Sequence, residues 1–290
     1  MRGAWEAPYM KKLFLFLLLL PFLAFAQSNN ETEVQLRKLE WQTGPTTGTI
    51  GSHAKVNVPT GYVFLDDTNT SKFLEINGNP PRPGNYILAP DKLNWFAVFG
   101  FEESGYVKDD EKLDAADLLK SLQESDGPSN EHRKSLGMKA LYTDGWQVPP
   151  FYDSQSKHLE WGVRLRTDDG TKIINYTSRL LGRKGIMSAV LVASPETLVA
   201  DTAQFKQLLG GYEYVGGEKY SEFTQGDRVA EFGLAALILG GAAAVATKKG
   251  FWAVLGGFIA AGWKLIAGLA VAGVAGIGNI FKKKKKPDEV

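Results

Sequence analysis

The side chains with most chemical reach are three histidines and one dense run of acids. His53, His132 and His158 stand far apart. None has a second histidine at i+3 or i+4, so no helix presents a metal-binding pair. Asp109, Asp110, Glu111, Asp114 and Asp117 crowd together. Oxygen ligands of this kind suit calcium. The run DDEKLDAAD nevertheless lacks the alternating ligands and central glycine of an EF-hand loop. An acid-rich helix start is the simpler account, because carboxylates favour the positive end of the helix dipole. No G-x-S-x-G, phosphate-binding loop or dinucleotide glycine pattern occurs. The chain has no cysteine, which removes thiol nucleophiles, disulfide exchange and thiolate-bound metals. No catalytic residue, cofactor or metal site is assigned on these grounds.

The aromatic residues offer a different chemistry. Tyr106, Trp146, Phe151, Tyr152, Trp161 and Tyr176 lie in or beside two segments, GYVKDD at 105–110 and GWQVPPFYD at 145–153, and the strands that follow. Both segments mix glycine, proline, rings and carboxylates, so they read as loops. Loops that display rings beside carboxylates make recognition surfaces for proteins or sugars. The candidate recognition residues are Tyr106, Asp109, Asp110, Trp146, Tyr152 and Asp153. Arg183 joins them from the basic turn at 182–185, which could cradle an anion. The competing account is structural: the rings plug the edge of the core and Pro149-Pro150 stiffen a crossing.

The elements that must position these residues read as α+β. Residues 54–65 alternate around Pro59 and Gly61, giving two short strands about a turn. Residues 93–101 (LNWFAVFGF) form an apolar strand. Residues 114–124 are helical, with Asp114 as cap and Leu118, Leu119 and Leu122 at helical spacing. A second helix follows at 129–138. Residues 158–167, 172–181 and 186–193 form an antiparallel meander, its first turn at Asp168-Asp169-Gly170. A helix at 195–209 starts with Pro195 in its first turn, and a short strand at 212–215 follows Gly210-Gly211. Strands and helices mix without strict βαβ alternation, so the sheet is expected to be antiparallel with flanking helices.

The two ends address a membrane. Lys11-Lys12, the apolar run LFLFLLLLPFLAF and Ala24-Phe25-Ala26 make a secretory signal peptide over 1–26. Met10 directly before the lysines makes residues 1–9 a candidate misassigned extension. Residues 27–225 then form the exported domain. Residues 226–281 carry the anchor: one apolar run over 229–246, then Thr247-Lys248-Lys249-Gly250, then a second over 251–281. About 20 apolar residues in a helix cross a bilayer core. The five lysines from Lys282 to Lys286 sit in a basic cytoplasmic tail, 282–290, suited to anionic lipid headgroups. If both runs crossed, this tail would lie outside, against the positive-inside rule. Either the second run re-enters or lies on the surface, or the two form a hairpin with Lys264 facing protein.

The net charge of +1 conceals an asymmetry. Residues 27–225 hold 21 Lys and Arg against 27 Asp and Glu, whereas 226–290 hold 9 against 4. An acidic domain is a poor nucleic-acid binder, since phosphates demand clustered cations. Lipid and an envelope or membrane protein are the expected partners; nucleic acid is not.

Four blocks carry a resemblance. They are Gly105-Tyr106-Val107-Lys108-Asp109-Asp110; Gly145-Trp146 with Pro149-Pro150 and Tyr152-Asp153; Asn175-Tyr176 with Leu181-Gly182-Arg183; and Gly226-Asp227-Arg228-Val229-Ala230 leading into Gly233-Leu234-Ala235-Ala236-Leu237. In this order the chain resembles the DUF2167 family of predicted membrane-anchored bacterial envelope proteins. The resemblance implies an exported domain with a C-terminal membrane segment and carries over no catalytic residues. The order of elements is also loosely similar to the PsbP/Mog1 α/β/α sandwich, a group of non-enzymatic assembly and partner-binding proteins.

The leading expectation is a non-enzymatic recognition or assembly protein on the periplasmic side of a bacterial inner membrane. The second is an envelope hydrolase whose dispersed site uses Asp109, Asp110 and Asp153. The third gives the active role to the membrane segments, through oligomerisation or membrane remodelling.

Overall fold

In the computed structural model the described residues are 28–77, 81–135, 140–170 and 172–240. The expected signal peptide, the apolar residues beyond 240 and the lysine tail lie outside them. Among the described residues no helix is long and apolar enough to cross a membrane.

The elements run α1 (Ser28–Arg37), β1 (Gln42–Thr43), β2 (Thr46–Ile50), β3 (Ala54–Val58), β4 (Tyr62–Leu65), α2 (Asp67–Ile76), β5 (Asn85–Pro90), β6 (Phe96–Glu102), α3 (Ala115–Ser135), β7 (Leu141–Asp153), β8 (His158–Thr167), β9 (Lys172–Leu181), β10 (Ile186–Val192), α4 (Leu198–Leu209), β11 (Tyr212–Tyr214) and α5 (Leu234–Leu239), with a 3-10 turn at Tyr220–Glu222. Eight strands make one antiparallel sheet in the order β1-β4-β5-β6-β10-β9-β8-β7. The expected meander is there: β8 pairs with β9, and β9 with β10.

Alternation along each strand sends side chains to two different cores. On one face Leu159, Trp161, Val163 and Leu165 of β8 meet Phe73 of α2, Leu118 and Leu122 of α3, and Leu234, Leu237 and Ile238 of α5. On the other, Phe99, Tyr176 and Met187 meet Phe205 and Leu208 of α4, with Val56 and Val58 of a second sheet. That sheet has the order β11-β3-β2. The fold is thus α+β. Among the described residues, one face of the large sheet carries α2, α3 and α5, and the other a small sheet together with α4.

Four expectations are corrected. Residues 54–65 do form two strands, but these do not pair with each other: β3 joins the small sheet and β4 the large one. The two helices expected at 114–124 and 129–138 are the single helix α3, which runs through Pro128. Polar side chains tie it to β7. Asp126 accepts from the Thr143 amide (2.7 Å) and hydroxyl (2.9 Å), and Asn130 bonds both the amide (2.7 Å) and the carbonyl (3.0 Å) of Leu141. These bonds hold the helix past a residue that lacks its own amide donor. The segment 145–153, read as a loop, belongs to strand β7. It is the edge strand of the large sheet, with three register shifts against β8. Edge position and the register shift between Val148 and Phe151 explain how Pro149 and Pro150 fit, because neither an outward-facing nor a bulged position needs a ladder amide. Finally, α4 starts at Leu198, not Pro195.

A candidate recognition site at the junction of four segments

Gly105 opens the segment that builds the site. Its φ of +87° lies in the left-handed region, and a Cβ would stand 2.7 Å from the Arg228 carbonyl oxygen. Only glycine permits both. The close approach lets two extended segments run side by side. The Tyr106 amide donates to the Arg228 carbonyl (2.8 Å), and the Ala230 amide to the Tyr106 carbonyl (2.9 Å). The Gly105 amide also donates to the Lys184 carbonyl (2.9 Å).

Three rings and a cation then stack. Tyr106 lies against Tyr220 at 4.3 Å between centroids and against Phe223 at 4.2 Å. Lys157 Nζ sits 5.1 Å from the Tyr220 ring centre, within range of a cation–π attraction. Tyr220 is buried and donates its hydroxyl to the Val107 carbonyl (2.9 Å), while Phe223 is 37 % exposed. The stack therefore runs from the interior towards solvent.

Asp109 is the polar centre. Its Oδ2 accepts from the Tyr152 hydroxyl at 2.7 Å and from Lys157 Nζ at 2.8 Å. Burial alone would push this carboxyl up. Hydrogen bonds from Lys157 and Tyr152, with the lysine charge, outweigh it and hold Asp109 below the usual carboxylate range. Burial and the bond to Asp109 push the Tyr152 phenol up; burial, Tyr106 and Asp109 do the same to Tyr220. Both phenols remain neutral donors at physiological pH.

A second ion pair closes the junction. Arg183 forks onto Asp227, with Nε to Oδ2 at 2.7 Å and Nη2 to Oδ1 at 2.9 Å. Asp227 also accepts from the Thr224 amide at 2.8 Å. The Arg183 bonds, then the Thr224 amide, hold its carboxyl far below the usual range. Planar two-point pairing of this kind orients both partners.

The seven expected recognition residues divide. Tyr106, Asp109 and Tyr152 come together, and Arg183 pins the adjoining segment. Trp146 is elsewhere: its indole donates to the Ala115 carbonyl (2.8 Å) and its ring packs on the helix-covered core. Asp110 lines a shallow open depression with Lys108, Glu111, Val229 and Phe232. The Asp153 carboxylate shapes the β7–β8 turn, accepting from the Gln155 amide (2.8 Å) and the Ser156 hydroxyl (2.9 Å). Asp109 and Asp153 both neighbour Tyr152 in sequence or space, but different partners occupy their carboxylates. His53 stacks on Phe101 at 3.7 Å on the small-sheet side, with Nδ1 3.5 Å from Glu218. His158 is depressed by burial, and its charged neighbours are Glu160, Asp153 and Lys206. Among the described residues no three His, Asp or Glu side chains are grouped to hold a metal ion.

Sequence reasoning missed Lys157, Tyr220 and Phe223. The last two precede the fourth block in the run EKYSEFTQGDR, where their aromatic spacing was the available signal. Lys157 carries a positive φ of 61° at the end of the β7–β8 turn, and nothing local to it pointed to Asp109.

All four resemblance blocks thus supply contacts at or beside one junction of an α+β domain. The family model for DUF2167, a protein family of unknown function, matches residues 42–275, and the chain belongs to that family. No curated protein matches. One solved structure that matches is the solution structure of cyanobacterial PsbP (CyanoP) from Synechocystis. The identity is 10 %, with 60 % of this chain and 91 % of that chain covered and a TM-score of 0.34. A likeness at that level determines nothing about function.

Proposed function

We propose that this chain is a non-enzymatic recognition domain, tethered to the outer face of a bacterial inner membrane, that binds an envelope protein partner at the junction. The observation that carries the reading is the ordered stack of Lys157, Tyr220, Tyr106 and Phe223. Its inner members are fixed by hydrogen bonds, its outer ring Phe223 is 37 % exposed, and Val229, which bridges to Tyr106, is exposed to the same degree. A rigid aromatic surface binds at low entropic cost, because little side-chain freedom remains to be lost. The sequence-based signal peptide and the apolar residues beyond 240 support the tether and the exported location. The occupied carboxylates of Asp109 and Asp153 favour this reading over a hydrolase.

The test is crosslinking in cells followed by affinity capture of full-length protein, comparing the wild type with Phe223→Ser at equal abundance. A specific crosslinked protein present with the wild type and lost with Phe223→Ser is the expected result. A crosslink unchanged by Phe223→Ser removes the junction from the reading. Turnover of envelope material by the purified protein, abolished by Asp109→Asn, would replace the reading with the hydrolase.

A further inference from the structure

The apolar run at 229–246 looks like a membrane span in sequence, yet its first part is built into the domain. The Ala230 amide is bonded to the Tyr106 carbonyl, and the Ala235 amide donates to Glu111 Oε2 at 2.9 Å. Glu111 therefore caps α5 from a segment 124 residues away. Leu234, Leu237 and Ile238 are at most 4 % exposed and share one core with Leu118 and Leu122 of α3. Beyond Gly240 only six apolar residues remain before Thr247-Lys248-Lys249. As a helix they would reach about 9 Å, against a hydrocarbon core of about 30 Å. Undocking α5 to lengthen the span would uncover Leu118 and Leu122 and strip Glu111 of its backbone donor. Lipid could re-bury the α5 side chains, but it cannot re-cover α3.

We propose that α5 is the last helix of the domain and that the chain crosses the membrane once, within 251–281. This rests on the reading of the chain as membrane-tethered. Lys248 and Lys249 then stay on the domain's side, and Lys282 to Lys286 lie across the membrane. A single crossing resolves the charge conflict of the sequence. The larger lysine cluster becomes cytoplasmic while the domain is exported, as the positive-inside rule requires. Within the run, residues 265–281 form a stretch of 17 uncharged residues between Lys264 and Lys282, polar only at Asn279. That is the short end of a span, and lysine stems at both boundaries can extend to the headgroups. The ten residues at 241–250 reach at most about 35 Å when extended, so the domain rides close to the membrane surface.

The absence of cysteine makes the test direct, since any introduced thiol is the sole label site. Ser154→Cys in the exposed β7–β8 turn marks the domain, Thr247→Cys the connection, and Asp288→Cys the tail. Each is made in the full chain and treated with a membrane-impermeant maleimide in spheroplasts, before and after the membrane is opened. The expected pattern is labelling of Ser154→Cys and Thr247→Cys in intact spheroplasts, and of Asp288→Cys only after opening. Protection of Thr247→Cys until opening overturns the inference, whichever side the tail occupies. If instead the protein leaves the membrane in alkaline carbonate, the tether reading itself fails, and the inference with it. Leu237→Lys provides an independent check. A docked α5 predicts a protease-sensitive domain that stays in the membrane fraction. Loss from the membrane with an intact domain would overturn the inference.

Discussion

The core under α4 and the junction around Asp109 are both rich in rings, but the rings are used differently. Trp95, Phe99, Tyr176 and Phe205 are fully buried. Phe205 meets Trp95 and Tyr176 edge-on at 6.4 and 6.3 Å, an arrangement set by filling space between sheet and helix. At the junction Tyr106, Tyr220 and Phe223 are 4.2–4.3 Å apart, and the outermost is partly exposed. Lys157 faces the Tyr220 ring, and the Tyr220 hydroxyl is bonded to the Val107 carbonyl. The first region contributes stability through area removed from water. The second holds a shaped surface by directional bonds, at a smaller net gain in stability.

The contrast breaks most readily at the core. Phe205→Ala should cost about 3–5 kcal/mol, read as a fall in the urea midpoint with an unchanged slope. A loss comparable to that of Phe223→Ser would erase the distinction. Leu237→Ala should come next, at about 2–5 kcal/mol, because α5 belongs to the helix-covered core. Urea denaturation of the purified protein measures it.

Smaller effects sharpen the junction's side of the comparison. Asp109→Asn should cost about 1–3 kcal/mol by weakening charge-assisted bonds to Lys157 and Tyr152. A double-mutant cycle with Lys157→Met should give a coupling of about 0.5–3 kcal/mol. The sign of its pH dependence follows from the depressed Asp109 carboxyl. The stabilisation is complete above the ordinary aspartate value of about 3.9 and is lost as pH falls through the lower folded value. The gap between wild type and Asp109→Asn should therefore be flat at neutral pH and shrink in acid. A gap that widened in acid would contradict the bonding described. Phe223→Ser should change stability least, within about 0.5 kcal/mol, while abolishing the specific crosslink.

Legibility followed the range of the interactions. The meander at 158–192 was readable because its alternation and its Asp169-Gly170 turn are local signals. The cap on α3 was readable for the same reason: the Asp114 carboxylate accepts from the Ala116 and Asp117 amides at 2.9 and 3.0 Å. β7 was misread because Gly145, Pro149 and Pro150 are breakers in isolation, and only its place at a sheet edge reverses their meaning. The helix break at Pro128 was overridden by bonds to a strand that itself was misread.

At the candidate site, single residues were legible and their assembly was not. Tyr106, Asp109 and Tyr152 stood out by type, yet Lys157 reaches Asp109 from 48 positions away along the chain and Tyr220 reaches the Val107 carbonyl from 113. By itself, the sequence determined the α+β class, the strand alternation, the absence of thiol chemistry and the apolar, lysine-bounded C-terminal pattern, since each depends on composition or short spacing. Only the tertiary structure decided which carboxylate meets which cation, which rings stack and that α5 packs in the domain, because those depend on contacts between segments distant in the chain.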